Sequence, residues 1–306
     1  MPDTEPPRGT SLKRVRAKHL RVALNDSGPA GAPVALLLHG WPDDATTWDR
    51  IAPRLAAAGF RAIAPMNRGA GGTRFLSPRT PRTGNTGILA IDSIELMDAL
   101  GIERFVVAGH DWGANVAEMM AVGWPGRVSR MAMLSTPSRL GGLRITGFEQ
   151  AERYWYHWFQ ATARGTEYVT RHSKAFARYM WDQWSPPGWF DEPTFEGVAK
   201  SFRNPDWVAV MLHSYRARWG EATLDPRSRR LEARVKATKR LAVPTLFLQG
   251  GADRVTAPTA SERMGDKYSG PFERIVLEGK GHFLPREAPE AVAENLLRHF
   301  GSPGQA

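Results

Sequence analysis

Gly109-His110-Asp111-Trp112-Gly113, read with the segments on either side of it, decides the fold of this chain. Before it, Phe105-Val106-Val107-Ala108 is a short apolar run of the kind that makes a buried parallel strand. After it, Ala114 to Ala121 continues with helix-forming residues. A sharp strand-to-helix turn needs glycine on both sides, because the central residue is held in a strained conformation while the two backbones pack closely. Such turns usually present a serine, whereas this one presents a carboxylate, Asp111.

The exchange changes the chemistry. A serine hydroxyl must lose its proton to a base before it adds to a carbonyl; a carboxylate is already ionised at neutral pH and needs no such help. It is a modest nucleophile, suited to displacing a leaving group from a saturated carbon. The product is an alkyl ester of Asp111 itself, and cleaving that ester with water requires a base further along the chain.

Working outward, apolar strands alternate with helical stretches, which places the chain in the α/β class. Strands are expected at Val34 to His39, Phe60 to Pro65 and Arg130 to Ser135, with a helix between Trp48 and Ala58. From 140 to 239 the parallel-strand signals stop and helical, aromatic and basic segments take over; seven of the eleven tryptophans fall there. Strands resume at Val243 to Leu248 and Arg274 to Leu277, and Pro289 to Phe300 closes as an amphipathic helix. The expected organisation is a Pro-rich tail over 1–10, a core over 11–139 and 240–306, and a helical lid over 140–239.

The base and its orienter are sought where strands resume. Gly250-Gly251-Ala252-Asp253 follows one strand end and Gly281-His282 follows the next, so both side chains are expected at the sheet edge that carries Asp111. The order Asp111, Asp253, His282 reads as nucleophile, acid, base. His39-Gly40-Trp41-Pro42 ends the first buried strand, where a tight turn can aim the Trp41 backbone N–H at the same point as that of Trp112.

Composition narrows the rest. At 306 residues the chain can bury a large core, and with no cysteine it has neither disulfides nor thiolate metal sites. Its N-terminus lacks the regions of a signal peptide and no apolar run is long enough to span a bilayer, so a cytoplasmic location is the default expectation. The formal charge of +10 is spread along the chain without a nucleic-acid-binding motif. It reads as solvated surface, with a bias towards anionic substrates or surfaces. Arg68-Gly69-Ala70-Gly71-Gly72 lacks the Lys-Ser/Thr and following helix of a phosphate cradle and reads as a flexible loop near the active-site edge.

From about residue 12 the chain resembles the α/β-hydrolase superfamily, and its His39-Gly-Trp-Pro, Gly109-His-Asp-Trp-Gly, late Gly-x-Asp and Gly281-His-Phe motifs resemble the epoxide hydrolases. The resemblance implies a mostly parallel sheet flanked by helices, with a helical cap inserted after the sixth strand, and no cofactor or metal. It also implies two lid tyrosines that donate hydrogen bonds to the epoxide oxygen, and Tyr156 and Tyr215 match their positions. A phenol, with a pKa of about 10, can serve an alkoxide in this way while staying protonated. The aromatic lid favours an apolar or aromatic epoxide. No nucleic acid or membrane partner is expected, and the sequence does not decide between a monomer and a homodimer.

The runner-up is dehalogenation. Haloacetate dehalogenases share the Asp nucleophile and commonly hold the halide with a His-Trp pair and a late Tyr, which His157, Trp158 and Tyr215 resemble. They usually also carry arginines one and four residues after the nucleophile, where this chain has Trp112 and Asn115. An uncompensated substrate carboxylate would be costly in a dry pocket. Haloalkane dehalogenases often place Asn where Trp41 stands. A non-catalytic ligand-binding relative on the same fold is the remaining alternative, against which the complete triad argues.

Overall fold

The computed structural model describes residues 10–142 and 147–302. The strands are β1 (Thr10–Arg16), β2 (Leu20–Ser27), β3 (Val34–Leu38), β4 (Arg61–Pro65), β5 (Arg74–Phe75), β6 (Phe105–His110), β7 (Val128–Leu134), β8 (Thr245–Gly250) and β9 (Phe272–Leu277). They form one sheet in the order β1-β2-β4-β3-β6-β7-β8-β9, with β5 paired to β2. From β4 to β9 neighbouring strands along this path are parallel, and β2 joins antiparallel to β4.

Flanking the sheet in the first half of the chain are α1 (Ala52–Ala57), α2 (Thr86–Ala99) and α3 (Trp112–Gly123). Between β7 and β8 come α4 (Phe148–Arg153), α5 (Trp155–Ala161), α6 (Ala163–Arg171), α7 (Ser173–Trp184), α8 (Glu192–Ala199), α9 (Trp207–Arg218) and α10 (Arg229–Ala237). The chain ends with α11 (Leu284–Glu287) and α12 (Pro289–Phe300). The helical insertion therefore follows β7, which is the sixth strand of five residues or more, and no strand interrupts it among the described residues.

The central strands are apolar throughout because both sheet faces are covered. Leu36 and Leu38 of β3, Val107 of β6 and Met131 and Met133 of β7 point into one core with α2 and α3. Their alternates Ala35, Leu37, Val106, Ala108, Ala132 and Leu134 point into the other with α1 and α12. Period-two alternation thus sends each continuous run to two cores at once.

Two elements lie outside the expectations drawn above. Thr10 already pairs with Ser27, so the sheet begins inside the expected tail and β1 and β2 form a hairpin. Its basic stretch is an edge-strand surface, with Lys13 Nζ 2.6 Å from Asp26. The Arg68 loop is held from within: Arg68 is buried and pairs with Asp92 at 2.5 and 2.7 Å.

What the topology does for function follows from β3. The chain places β4 on one side of it and β6 on the other, which makes the β3–β6 edge a switch point, the crevice where doubly wound sheets present ligand sites at strand carboxyl ends. His39-Gly40-Trp41 leaves β3 there and Asp111 leaves β6.

Candidate active site

Asp111 sits at φ 51°, ψ −115°, a backbone conformation that side-chain-bearing residues rarely adopt. Close packing on every side enforces it. A Cβ at Gly40 would collide with the Asp111 side chain, one at Gly109 with the Gly113 carbonyl, and one at Gly113 with the Leu38 carbonyl. The Asp111 N–H donates to Leu134 O at 3.1 Å, which ties the turn to β7.

The two carboxylate oxygens of Asp111 have different surroundings. Oδ1 accepts the Trp41 backbone N–H at 2.9 Å. Oδ2 lies 3.5 Å from His282 Nε2 and 3.5 Å from Thr136 Oγ1. Trp112, the other expected donor, opens α3, where backbone N–H groups have no partner within the helix. Burial alone would raise the Asp111 carboxyl; the His282 charge and the Trp41 N–H outweigh it and hold the group below the usual carboxylate range.

His282 is fully buried on the turn after β9. Its Nδ1 lies 3.0 Å from Asp253 Oδ2, and Asp253 Oδ1 accepts the backbone N–H groups of Val255 and Thr256 at 2.7 and 2.9 Å. Burial would lower His282, but the Asp253 and Asp111 carboxylates on either side overcome it and raise the imidazole to about 10. The three expected residues thus come together in a line of carboxylate, imidazole and carboxylate.

The loop bearing His282 is secured by groups that the sequence did not single out. The His282 N–H donates to Ser185 Oγ at 2.8 Å, and Ser185 Oγ–H donates to Glu287 Oε1 at 2.6 Å. Glu287 also accepts the N–H groups of Gly281 and Phe283 at 2.6 and 2.9 Å. The His282 carbonyl accepts from His110 Nε2 at 2.8 Å and Ser135 Oγ at 2.7 Å. Ser185 comes from the end of α7, 97 residues before His282, so no local pattern marks it. His110 stands inside the elbow motif, and burial together with the nearby His282 charge lowers it to about 4.

Tyr156 and Tyr215 are buried over the same centre. Their ring centroids are 5.4 Å apart, and those of Tyr215 and Trp112 are 5.5 Å apart. Burial first, and then neighbouring negative charge that includes Asp111, raises both phenols well above their usual value, so both stay protonated. Trp41 packs against both, with centroids at 6.3 Å from Tyr156 and 5.3 Å from Tyr215. The register at the first tyrosine follows from helix geometry: Tyr156 turns inward, while Tyr154 stacks on His157 at 4.5 Å.

His157 is buried behind Tyr215 and accepts the Trp219 indole N–H at 3.1 Å, so its Nδ1 is bare. Trp158 is not brought to the site. One position further round α5, it is 36% exposed, donates its indole N–H to Ala151 O at 3.1 Å and packs on Trp219. Its expected substrate-binding place is corrected by this outward turn. Among the described residues no His/Cys/Asp/Glu group is arranged to hold a metal ion. No described helix is long and apolar enough to cross a membrane.

With this geometry in view, the chain matches the model of the alpha/beta hydrolase family over residues 35–295 and belongs to that family. Within it, the chain is 27% identical to epoxide hydrolase A of Mycobacterium tuberculosis, over 91% of this chain and 93% of that protein. A fluoroacetate dehalogenase from a Burkholderia species is 28% identical over 64% of this chain and 66% of its own. Among solved structures, a Klebsiella pneumoniae protein provisionally described as an epoxide hydrolase superposes with a TM-score of 0.89 at 34% identity, covering 94% of this chain and 96% of that one.

Proposed function

We propose that the protein is an epoxide hydrolase that converts an epoxide to a vicinal diol through a covalent ester on Asp111. One observation carries the reading: the elbow residue is a carboxylate with one oxygen on the Trp41 N–H and the other beside the His282–Asp253 pair. Oδ2, free of the backbone donor, attacks an oxirane carbon. The C–O bond breaks, its electron pair goes to oxygen, and Tyr156 and Tyr215 donate to the resulting alkoxide.

Esterification removes the negative charge of Asp111, one of the two that raise His282, so the imidazole becomes easier to deprotonate once the ester has formed. Neutral His282 then takes a proton from water as the water oxygen attacks the Asp111 carboxyl carbon. The negative charge develops on Oδ1, where the Trp41 N–H and, in this reading, the Trp112 N–H stabilise it. Collapse of this intermediate breaks the bond between the Asp111 carboxyl carbon and the ester oxygen, and that oxygen takes the proton His282 drew from water. The alkoxide of the first step takes, through the tyrosines, the proton His282 gave up earlier. The new carboxyl returns its proton to His282, so the diol leaves and Asp111 is restored while Asp253 holds the imidazole in its tautomer.

Carbon–halogen cleavage would use the same carboxylate, but its expected halide donor Trp158 faces outward, and Trp112 and Asn115 replace the expected arginines. The helices over 140–239 act as the lid that carries the tyrosines. The test is the intact mass of His282→Gln after exposure to epoxides and haloacetates. An adduct of a whole epoxide supports the proposal, and an adduct of haloacetate minus halogen replaces it with dehalogenation.

A further inference from the structure

Two arginines that this chemistry does not use stand beside it. Arg218 lies one turn beyond Tyr215 on α9, its Cζ 5.2 Å from the Tyr215 ring centroid. Arg139, on the loop after β7, donates from Nη1 to Thr86 Oγ1 at 2.6 Å. Both are partly buried, and among the described residues no carboxylate forms an ion pair with either. The Glu232 and Glu118 carboxylates act on Arg139 through space without forming an ion pair with it; a guanidinium withdrawn from water without a paired carboxylate carries a desolvation cost that structures usually offset.

Both arginines line two adjoining cavities, of about 380 and 490 Å³. The larger is also lined by Asn115, Tyr154 and Thr136, and Thr136 Oγ1 is 3.5 Å from Asp111 Oδ2, so this cavity adjoins the reacting centre. Lys239, Arg263 and Lys267 complete its basic lining, and no Asp or Glu lines it among the described residues. Arg263 pairs with Asp266 at 3.0 Å, and Lys267 donates to the carbonyls of Ser138 and Leu140. In the smaller cavity Glu232 is occupied otherwise, its Oε1 accepting from Asn85 Nδ2 and the Gly87 N–H at 2.9 Å each.

The Arg218 charge opposes the burial-driven rise of Tyr154, Tyr156 and Tyr215 and adds to the burial-driven fall of His157. It therefore acts on the face of the site that the tyrosines form. The net charge of +10 adds a general field in the same direction.

We infer that the larger cavity is an anion subsite, and that the substrate is an epoxide bearing a carboxylate on an arm several bonds from the oxirane. The arm passes Thr136 and the carboxylate meets Arg218 and Arg139. This rests on the epoxide hydrolase reading and names its substrate class. It differs from haloacetate recognition, in which the carboxylate sits on the reacting carbon itself.

The experiment compares an aryl epoxide carrying a carboxylate-ended chain with its methyl ester. The wild type is expected to favour the acid by about tenfold in kcat/KM at low salt, the preference shrinking as sodium chloride is added. Arg218→Met should bring the acid-to-ester ratio close to one, and Arg218→Lys should recover part of it. Phenylbutyrate, a carboxylate without an epoxide, should compete with the ester on the wild type, which decides the matter even when the variants do not fold. Equal turnover of acid and ester, independent of salt and without competition, overturns the subsite while leaving the hydrolase reading intact. Turnover of neither, with no epoxide mass on His282→Gln, overturns both.

Discussion

His282 is where position and protonation meet most tightly. With a carboxylate on each side it is held at about 10 and is cationic in the resting protein at neutral pH. It must lose that proton to serve as a base, so the two half-reactions should respond differently to pH. In rapid-mixing experiments with an epoxide, ester formation on Asp111 should vary little between pH 6 and 9. Ester hydrolysis should rise with pH as His282, relieved of the Asp111 charge, deprotonates; a hydrolysis rate that falls over this range would contradict the assignment. Asp253→Asn should slow hydrolysis by roughly 10²–10⁴-fold by releasing the tautomer, with ester accumulating in the mass spectrum. Tyr156→Phe and Tyr215→Phe should each lower the rate of ester formation by about 10²–10³-fold, on the scale of removing one donor to a developing oxyanion, and leave ester hydrolysis nearly unchanged. At this scale the sequence was informative for residues tied to local motifs: Asp111 between its glycines, and Asp253 and His282 just beyond strand ends. It was not informative for Trp158, because a His-Trp pair in a helical stretch does not reveal which of two neighbours turns inward.

Strand alternation and the elbow were legible because both are short-range patterns: β6 runs from Phe105 to His110 and α3 starts at Trp112, close to where the residues placed them. The β1–β2 hairpin was not, because its edge strand breaks the alternation, with Lys13, Arg14 and Arg16 among only two apolar residues, Leu12 and Val15, and reads as charged surface. Contacts between the helical insertion and the core were hidden for a different reason, since they join residues far apart in the chain. Ser185 is the clearest case, standing at the end of α7 and accepting the buried N–H of His282 while donating to Glu287. Replacing it by alanine leaves that N–H without a partner, a loss of about 1–3 kcal/mol. Ser185→Ala should therefore lower Tm by several degrees in calorimetry and, on the proposed mechanism, should slow ester hydrolysis more than ester formation, because the loop that it holds carries His282, the proposed base. A variant that loses stability with both steps slowed equally would make Ser185 a structural residue only. Gly113→Ala acts on a simpler device: its methyl group meets the Leu38 carbonyl, so the elbow cannot close and little folded protein should be recovered.

For the molecule as a whole, the acidic residues of the loop after β3 contribute to how stability changes with pH. Asp43 is salt-bridged to Arg286 at 2.5 Å and is held low against its burial. Asp44 bonds to the Thr46 N–H at 2.9 Å and to Ser201 of the helical insertion. Among the described residues no cation forms an ion pair with Asp49; burial, reinforced by the Asp44 charge and opposed in part by the Arg286 charge, raises it to about 6, and Asn25 Nδ2 is its hydrogen-bond donor at 3.2 Å. A carboxyl whose folded pKa lies above its unfolded value takes up a proton on folding between the two. Its contribution is therefore full below about 3.8 and is lost as pH rises through about 6, after which folding must bury the charge. Asp49→Asn removes that charge and keeps the side-chain oxygen that faces Asn25. The variant should be more stable than the wild type at pH 8 by about 1–2 kcal/mol, a figure reduced for partial solvent access, and should show no gain at pH 4, where Asp49 is already protonated. Denaturant titrations at the two pH values decide this, and an equal gain at both would mean that the substitution acts through packing rather than through charge.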